Sequence, residues 1–314
     1  MSRYFFGNYI ARMENKYRGR FAPSPTGPLH FGSLLAAVSS YAQARQQQGQ
    51  WLVRIEDVDL PRCDSTSTSL ILKALEAYGM HWDEDISYQS QRNEYYEAAL
   101  DLLTTQNDTY GCACTRKEIS KAITDNEPAN IYPGTCRDGI AKGKTARSIR
   151  MRTNNTEVSF NDVVQGTFSQ CLARDVGDFI IKRAGGLFAY QLAVVVDDAL
   201  QNITEVVRGS DMLDSTPRQI YLQQRLNYAT PDYMHIPLAT HPDGHKLSKQ
   251  TMASAIALDD PRPTLIKALN FLGQQAPNEL RDTNIESLWE WVIENWSAKN
   301  IPAALSIPYN EANE

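Results

Sequence analysis

Long hydrophobic runs are missing from this sequence of 314 residues. No stretch approaches the length of apolar sequence that a membrane span needs. The first 16 residues lack an apolar run followed by a small-residue cleavage site, so they predict a short extension rather than a secretory signal. Apolar residues make up 42% of the chain and charged residues 22%, as in ordinary globular proteins. We therefore expect a cytoplasmic protein with no membrane partner and one to three domains.

An excess of basic charge is also missing. The formal net charge is −6, whereas proteins that bind nucleic acid normally present a basic surface. Composition alone therefore gives no reason to expect a nucleic acid. Residues 137–152 are an exception, because they contain six basic residues and a single acid, Asp138. The basic residues are Arg137, Lys142, Lys144, Arg147, Arg150 and Arg152. This stretch fits a solvated hairpin and an edge that contacts phosphates equally well.

Cysteine is scarce, and an odd number of five does not suit a disulfide framework. Cys112, Cys114 and Cys136 cluster, and Tyr132 lies four residues before the last of them. Three thiolates and a phenol could close a tetrahedral structural site, which favours zinc. However, Cys-x-Cys is shorter than the common Cys-x-x-Cys knuckle, and tyrosine is a rare ligand. From spacing alone, a zinc site and three buried free cysteines are equal alternatives.

The apolar pattern of the first hundred residues predicts alternating strands and helices. Residues 18–22 and 51–55 fit short strands, whereas 29–49 and 69–78 follow the period of amphipathic helices. A rigid, proline-rich turn at 23–28 connects the first strand to the first helix. This order predicts an α/β fold with a doubly wound parallel sheet.

The alternation breaks near residue 110 and returns after residue 179, which predicts an inserted α+β subdomain. Residues 188–196 and 203–208 are rich in β-formers, so we expect two further strands there. Residues 264–272 and 285–296 fit amphipathic helices. The predicted parts are an N-terminal extension (1–16), a discontinuous α/β domain (17–109 and 180–250), the insertion (110–179) and a short helical C-terminal region (251–314).

A short motif at the start of the first helix suggests a phosphate site. His30, Gly32 and Ser33 lie where the first strand gives way to this helix. A helix start offers free N–H groups and a positive dipole end to a phosphate chain, and a glycine lets the backbone approach the ligand closely. Taken alone, the histidine is more typical of a structural cap.

A second motif, Lys-Leu-Ser-Lys-Gln at 246–250, follows a predicted turn and forms the lysine loop. Lys246 and Lys249 bracket the hydroxyl of Ser248. Two lysines on a mobile loop could follow charge as it builds on pyrophosphate. A loop with two lysines is usually only a solvated loop, so the combination of both motifs carries the hypothesis of an ATP site.

At these residues the chain resembles the class I aminoacyl-tRNA synthetases. Residues 23–33 are similar to the region of their His-Ile-Gly-His element, and 246–250 to their Lys-Met-Ser-Lys-Ser loop. Ser33 and Gln250 depart from that pattern, since the family has histidine and serine there. The resemblance implies a Rossmann-like catalytic domain that uses ATP with magnesium. The implied catalytic residues are His30, Lys246 and Lys249, and the implied ATP-binding set adds Gly32, Ser33 and Ser248.

Residues 19–27, 53–59 and 206–211 resemble the glutamyl and glutaminyl branch of that class. Glutamate needs cationic donors for carboxylate and an anion for its amine, and the planar fork of arginine suits a carboxylate. The glutamate-binding residues implied by the resemblance are Arg20 and Arg208 for carboxylate, Glu56 for the α-amino group, Tyr190 as a hydroxyl donor, and Ser24 with the Ala22 backbone at the floor. The alternative is that Glu56 and Arg208 are strand-end charges paired structurally.

The cysteine motif and both departures resemble a small group of shortened relatives, the glutamyl-queuosine tRNA(Asp) synthetases. That group carries Cys-x-Cys, then Tyr-x-x-x-Cys, and the same His-Phe-Gly-Ser and Lys-Leu-Ser-Lys-Gln forms; the match runs from about residue 17 to 272. It implies one structural zinc per chain, held by Cys112, Cys114, Tyr132 and Cys136. It also implies an enzyme that forms glutamyl-adenylate and transfers glutamate to queuosine in the anticodon of tRNA(Asp). No obligate protein partner is predicted.

Chain length bears on the choice between functions. The 64 residues that follow Gln250 are too few for a separate anticodon-binding domain, which usually needs about 100 residues or more, so none is expected. Two alternatives stay open. One is a glutamyl-tRNA synthetase that charges a tRNA 3′ end, and the other is a non-catalytic regulator that keeps a synthetase-like fold to sense glutamate or bind tRNA.

Overall fold

Parallel strands form the centre of the computed structural model, which describes residues 16–59, 63–122, 131–241, 244, 247 and 254–309. The strands in these residues are β1 (Arg18–Phe21), β2 (Gln50–Ile55), β3 (Ser87–Tyr88), β4 (Thr109–Cys112), β5 (Ser148–Met151), β6 (Glu157–Asp162), β7 (Gly166–Cys171), β8 (Ile180–Lys182), β9 (Glu205–Gly209), β10 (Asp232–Ile236), β11 (Leu238–Thr240) and β12 (Ser306–Pro308). The α-helices are α1 (Phe31–Gln46), α2 (Ser65–Ala77), α3 (Asn93–Thr105), α4 (Arg116–Ala122), α5 (Leu172–Asp175), α6 (Tyr190–Leu200), α7 (Thr216–Leu226), α8 (Arg262–Phe271) and α9 (Ile285–Asn295).

The arrangement of strands confirms the predicted α/β fold with a mostly parallel sheet. Strand β2 pairs in parallel with β1 and β3, and β10 pairs in parallel with β9 and β6. Hydrogen bonds connect these two groups of strands: for example, the Thr204 N–H donates to the Arg18 carbonyl at 2.9 Å, and the Arg18 N–H donates to Thr204 Oγ1 at 2.9 Å. Strand β1 therefore lies between β2 and the segment that leads into β9, which is 186 residues away in sequence.

Helix α1 and strand β2 form much of the core. The side chains of Trp51, Val53 and Ile55 on one face, and of Leu52 and Arg54 on the other, are at most 2% exposed, so β2 is covered on both faces. Leu34 and Val38 of α1 are fully buried in the same apolar cluster. The end of β2, which precedes Glu56, and the start of α1, which follows His30, therefore lie against the same apolar cluster.

The predicted strand at 188–196 is wrong, because this segment begins helix α6. Its three consecutive valines favour a strand in isolation. However, Val194, Val195 and Val196 are all at most 2% exposed in the apolar cluster that α6 shares with α3 and α7. Burial against these helices overrides the local preference. As a consequence, Tyr190 lies at the first turn of a helix, and Asp198 lies on its last turn.

The insertion has the predicted α+β character but does not stay apart from the main sheet. Strand β5 pairs antiparallel with β4 and β8. The hairpin of β6 and β7 instead joins β10, where Asp162 is in register with Tyr233. The end of β6 therefore lies beside the strands that carry candidate site residues.

The boundaries of several predicted helices differ slightly from those observed. Helix α2 begins at Ser65 rather than at residue 69, because the Asp64 side chain caps it by accepting the Thr66 N–H at 3.0 Å. The C-terminal helices α8 and α9 are confirmed, and the Trp289 indole N–H of α9 donates to the Tyr78 carbonyl at 2.7 Å. A short strand not foreseen from the sequence, β12, then pairs with β11. Within the described residues, every helix is too short or too polar to span a membrane.

Candidate functional site

A cleft of about 760 Å³ opens at the carboxyl ends of β1, β2, β9 and β10, the edge where doubly wound sheets bind ligands. Nine predicted site residues line it: Arg20, Ala22, Ser24, His30, Gly32, Ser33, Glu56, Tyr190 and Arg208. The structure thus brings together all the predicted glutamate-binding residues and part of the predicted ATP-binding set. Lys246, Ser248 and Lys249 lie outside the described residues, although Leu247 between them also lines the cleft.

His30 and Ser33 form a reciprocal cap at the start of α1. The Ser33 N–H donates to His30 Nδ1 at 3.3 Å, and the His30 N–H donates to Ser33 Oγ at 2.9 Å. The Ser33 hydroxyl also donates to the His30 carbonyl at 2.8 Å. The serine that departs from the synthetase pattern therefore fixes the histidine and the helix start. Because both residues line the cleft, this end of the helix dipole faces it.

Gly32 allows a close approach between α1 and the lysine loop. A Cβ atom at this position would lie 3.3 Å from the Leu247 carbonyl oxygen and 3.2 Å from His30 Cε1. Both distances are tighter than ordinary van der Waals contact. In addition, the Leu247 N–H donates to the Ala239 carbonyl at 3.0 Å, so β11 fixes the backbone of Leu247 beside the cleft.

A buried network of charges surrounds the floor of the cleft. Arg20 donates through Nε and Nη2 to the two carboxylate oxygens of Asp198, at 3.0 and 3.3 Å. Arg54, which is fully buried, donates to the same carboxylate at 2.6 Å. Burial acts to raise the pKa of Asp198, but the two guanidinium groups outweigh it, and the pKa stays below its ordinary value. Asp198 is therefore ionised, and it fixes the plane of the Arg20 guanidinium.

Glu56, one of the acids that line the cleft, has a carboxyl oxygen without a hydrogen bond from the described part of the chain. Its side chain is 8% exposed and its Oε1 atom has no hydrogen bond among the described residues, although Arg54 Nη2 lies 3.8 Å away. Burial, the largest cause, raises the pKa of Glu56 to about 7 despite the opposing charges of Arg54 and Arg20. A buried carboxylate oxygen that lacks a protein donor can accept a hydrogen bond from a ligand. An ammonium would suit both the unsatisfied oxygen and its charge.

Arg208 reaches the cleft from strand β9 with most of its donors already engaged. Its Nε donates to His235 Nε2 at 3.0 Å, and its Nη2 donates to Thr216 Oγ1 at 2.8 Å. Its Nη1 lies 3.5 Å from the Tyr190 hydroxyl, which lines the cleft with it. The guanidinium therefore presents one edge to a ligand and is held by the protein on the other.

Sequence reasoning missed the residues that hold these site groups in place, namely Arg54, Asp162, Asp198 and His235. The two carboxylates that end the apolar run of α6 were an available signal, because buried carboxylates require cationic partners. His235 gave no local signal, since its partners Arg208 and Asp162 are 27 and 73 residues away in sequence.

The cysteine cluster is assembled as its spacing suggested. The Sγ atoms of Cys112, Cys114 and Cys136 all lie within 4.8 Å of one another. The Tyr132 hydroxyl lies 3.4 Å from Cys112 Sγ and 3.5 Å from Cys114 Sγ, and it accepts the Cys136 N–H at 2.9 Å. Three sulfur atoms and the phenol oxygen thus lie close together, and these residue types are ones that could bind zinc.

The acidic groups of this cluster have pKa values that depart from the ordinary ones in both directions, since burial raises the pKa of Cys114 and of Tyr132. Burial acts to raise the pKa of the Cys112 thiol, but hydrogen bonding with Tyr132 and Arg150 outweighs it and lowers that pKa to about 7. The Arg150 guanidinium carbon lies 3.6 Å from the centroid of the Tyr132 ring. The donor set therefore fits zinc, and its closed, four-donor arrangement is typical of a structural site.

The basic stretch of the insertion is less available to phosphates than the sequence suggested. Arg150 is only 5% exposed and donates to the Asp178 carbonyl at 2.7 Å, so it cannot be a surface phosphate ligand. Arg137 pairs with the Asp178 carboxylate, and Lys144 pairs with Glu118 at 2.6 Å. Lys142 and Arg147 are exposed and remain candidates for a phosphate-contacting edge.

Comparison with known proteins identifies the family of the chain. The model of the class I tRNA synthetases (E and Q), catalytic domain, matches residues 16–298. A glutamyl-Q tRNA(Asp) synthetase from Dechloromonas aromatica is 52% identical over 292 residues, covering 92% of this chain and 97% of the relative. A second glutamyl-Q tRNA(Asp) synthetase, from Thiobacillus denitrificans, is 52% identical over 284 residues, covering 90% of this chain and 94% of the relative.

A solved structure supports the same fold. The crystal structure of a glutamate tRNA ligase from Elizabethkingia meningosepticum in complex with its amino acid matches with a TM-score of 0.77. The match covers 94% of this chain and 67% of that chain at 22% identity. At this identity the similarity concerns the fold, and the residues of the cleft must carry any conclusion about function.

Proposed function

Since this chain belongs to the class I tRNA synthetase catalytic-domain family (E and Q), we propose that it activates glutamate with ATP and transfers it to queuosine in tRNA(Asp). The near full-length similarity to glutamyl-Q tRNA(Asp) synthetases supports this choice within the family. The observation that carries it is the meeting of Glu56, Arg208 and the capped helix start at His30 in one cleft.

Glutamate would bind through complementary charges. Its ammonium would occupy the position beside Glu56 Oε1, which has no hydrogen bond among the described residues. Its side-chain (γ) carboxylate would accept from Arg208 Nη1 and from the remaining donors of Arg20, with the Tyr190 hydroxyl nearby, which leaves the α-carboxylate for the reaction with ATP. Paired, charge-assisted hydrogen bonds to arginine favour a carboxylate over a neutral amide, so glutamate is preferred to glutamine.

ATP would lie with its phosphates at the start of α1. The free N–H groups around Gly32, together with His30, would hold the phosphates, and ATP would arrive with magnesium. The α-carboxylate of glutamate would attack the α-phosphorus, forming glutamyl-adenylate and releasing pyrophosphate. Lys246 and Lys249, with Ser248, would stabilise the charge that develops on the leaving pyrophosphate.

Transfer would complete the reaction on the nucleic acid. A hydroxyl of the queuosine base would attack the activated carbonyl, forming an ester and releasing AMP. The exposed Lys142 and Arg147 would contact backbone phosphates of the anticodon loop, which predicts binding that weakens as salt rises. Ordinary charging of a tRNA 3′ end is the competing outcome of the test below.

We assign zinc to Cys112, Cys114, Tyr132 and Cys136 in a structural role, supported by the convergence of their donor atoms. When bound, the metal would cross-link β4 to the loop that carries Tyr132 and Cys136.

We also propose the following domain organisation: a discontinuous catalytic domain (17–109 and 180–250), an insertion (110–179) and flanking segments (1–16 and 251–314). The proposed location of the protein is the cytoplasm.

The decisive experiment locates glutamate on the product. Labelled glutamate, ATP and magnesium are incubated with tRNA(Asp) that contains queuosine, and in parallel with the same tRNA that carries guanosine. The proposal expects label only on the queuosine form and, after the tRNA is cut, only in the anticodon fragment. Label on the terminal adenosine, or equal labelling of tRNA(Glu), would instead identify an ordinary glutamyl-tRNA synthetase. Absence of both labelling and pyrophosphate exchange would leave a non-catalytic binding protein.

A further inference from the structure

Arg208 is held by a buried histidine that belongs to another strand. His235 of β10 is fully buried, and its Nε2 accepts a hydrogen bond from Arg208 Nε at 3.0 Å. On the other side of the ring, His235 Nδ1 lies 2.6 Å from Asp162 Oδ2. A chain of contacts therefore runs from the end of β6, through β10, to the candidate glutamate-binding arginine of β9.

The contacts of Asp162 determine which nitrogen of His235 carries the proton. The carboxylate also accepts the N–H groups of Val164, Gln165 and His235 at 2.9–3.1 Å. With this many donors the carboxyl is ionised, and its pKa is below the ordinary value although burial acts to raise it. Nδ1 must then be the protonated nitrogen and donate to Asp162. Nε2 keeps its lone pair and can accept from Arg208.

This tautomer fixes the orientation of the Arg208 side chain. With Nε bound to His235 and Nη2 bound to Thr216, the planar guanidinium cannot rotate without breaking two hydrogen bonds. Only the Nη1 edge, beside the Tyr190 hydroxyl, then faces the cleft. The Thr216 hydroxyl also lies 3.2 Å from Nε2. If His235 carried its proton on Nε2, that N–H could turn only to Thr216, and it would oppose the Arg208 Nε–H, so the hydrogen bond that holds Arg208 would be lost.

We propose that Asp162 and His235 are positioning residues for glutamate, which set the direction of Arg208 through the Nδ1-protonated tautomer. This inference rests on the proposed function, since it takes Arg208 to be a carboxylate ligand. Asp162 lies on the hairpin of the insertion, so the insertion supplies part of the support for the amino-acid site. Neither residue lines the cleft, and neither is expected to touch the substrate.

Two substitutions at position 235 separate the two ring nitrogens. In His235→Gln the side-chain oxygen can take the place of Nε2 and accept from Arg208. In His235→Asn the amide can reach Asp162 but not Arg208. Because a hydrogen bond to a charged group is at stake, we expect His235→Asn to raise the glutamate KM about tenfold or more. His235→Gln should raise it less than about threefold, and kcat and the KM for ATP should change little in both variants.

Asp162→Asn tests the tautomer itself. The asparagine amide can donate to Nδ1 and thereby place the proton on Nε2, opposite the Arg208 N–H, as happens when the aspartate of a catalytic triad is replaced. We expect a rise in the glutamate KM similar to that of His235→Asn. In an Arg208→Lys background, which lacks the Nε donor, neither substitution should raise the KM further.

A matched control separates positioning from general loosening of the core. Phe160 packs against His235 with ring centroids 6.3 Å apart and forms no hydrogen bond to Arg208. Phe160→Leu should lower the melting temperature of the protein without raising the glutamate KM. Should Asp162→Asn fail to fold, the pair at position 235 still decides the question, since both variants introduce a side-chain amide.

Glutamate-dependent exchange of pyrophosphate into ATP is the assay, with the full chain and its bound metal. If the unaltered protein shows neither exchange nor labelling of tRNA(Asp), the proposed function fails and the positioning role is withdrawn with it. If the unaltered protein exchanges but His235→Asn and His235→Gln have equal glutamate KM values, the proposed function stands and the positioning role is overturned. The same holds if Phe160→Leu raises the KM as much as His235→Asn.

Discussion

Replacing Glu56 by glutamine would remove the titratable carboxyl of the cleft while keeping its shape. The pKa of Glu56 is raised to about 7, chiefly by burial, so the carboxyl is ionised in about a tenth of the molecules at pH 6 and in about nine-tenths at pH 8. Only the ionised form can pair with the ammonium of glutamate. The glutamate KM of the unaltered protein should therefore fall about tenfold as the pH rises from 6 to 8.

The substrate does not supply this pH dependence. The carboxyl groups of glutamate titrate near 4, and its amino group titrates above 8. The terminal phosphate of ATP does titrate in this range, so the glutamate KM must be measured at saturating ATP and magnesium. Glu56→Gln provides the internal correction, because any pH dependence that survives in this variant does not arise from Glu56.

The size of the expected rise in the glutamate KM of Glu56→Gln follows from the loss of the carboxylate that pairs with the ammonium. Removing one member of a desolvated, hydrogen-bonded charge pair costs about 2–5 kcal/mol, so Glu56→Gln should raise the glutamate KM at pH 8 by about 30-fold or more. The increase should be smaller at pH 6, where the unaltered carboxyl is already mostly protonated. Pyrophosphate exchange at five or six pH values measures both effects. A KM that does not vary with pH in the unaltered protein, or the same slope in Glu56→Gln, would refute the assignment of Glu56 to the ammonium.

Three further outcomes are expected. Arg208→Ala should raise the glutamate KM about 30-fold or more in pyrophosphate exchange, because it leaves a carboxylate without its partner; a change confined to kcat would contradict its role in binding. In Gly32→Ala the new Cβ would lie 3.3 Å from the Leu247 carbonyl oxygen and displace the lysine loop. Single-turnover adenylate formation should then slow about tenfold while glutamate affinity is kept, and an unchanged rate would contradict the close approach. Elemental analysis should give one zinc per chain for the unaltered protein and for Cys171→Ser. Cys114→Ser should lose the metal and show a lower melting temperature, and a metal-free, fully active preparation would exclude a zinc requirement.

The parts of the site that could be predicted from sequence are those carried by short, continuous segments. Glu56 follows the buried strand β2 and Arg208 lies near the end of β9, so their shared edge of the sheet could be deduced from the order of strands and helices alone. The grouping of the cysteine cluster was similarly accessible, although its metal stays a prediction, since Cys112, Tyr132 and Cys136 lie within 25 residues of each other. In such segments sequence spacing limits where a side chain can go.

The parts that could not be predicted depend on packing between distant segments. The valines of α6 favour a strand by propensity, and only burial against α3 and α7 makes them helical. The pairing of Arg20 with Asp198 joins residues 178 positions apart. Likewise, the sequence placed Arg150 among exposed basic residues, whereas in the folded insertion its guanidinium packs on the ring of Tyr132. Each of these outcomes is decided by contacts that no local pattern encodes.

The place of β1 in the sheet has a consequence for biosynthesis. On one side β1 pairs with β2. On the other side it contacts the segment that leads into β9, through the hydrogen bonds between Arg18 and Thr204. A ribosome that adds about 5–20 residues per second needs about 10–40 seconds to make the chain between these two residues. During that interval the nascent N-terminal half has an unpaired strand edge beside the apolar side chains of Phe21 and Val53. A chain arrested before residue 205 should therefore be cleaved readily by proteases and bound by chaperones, whereas the released chain should resist both.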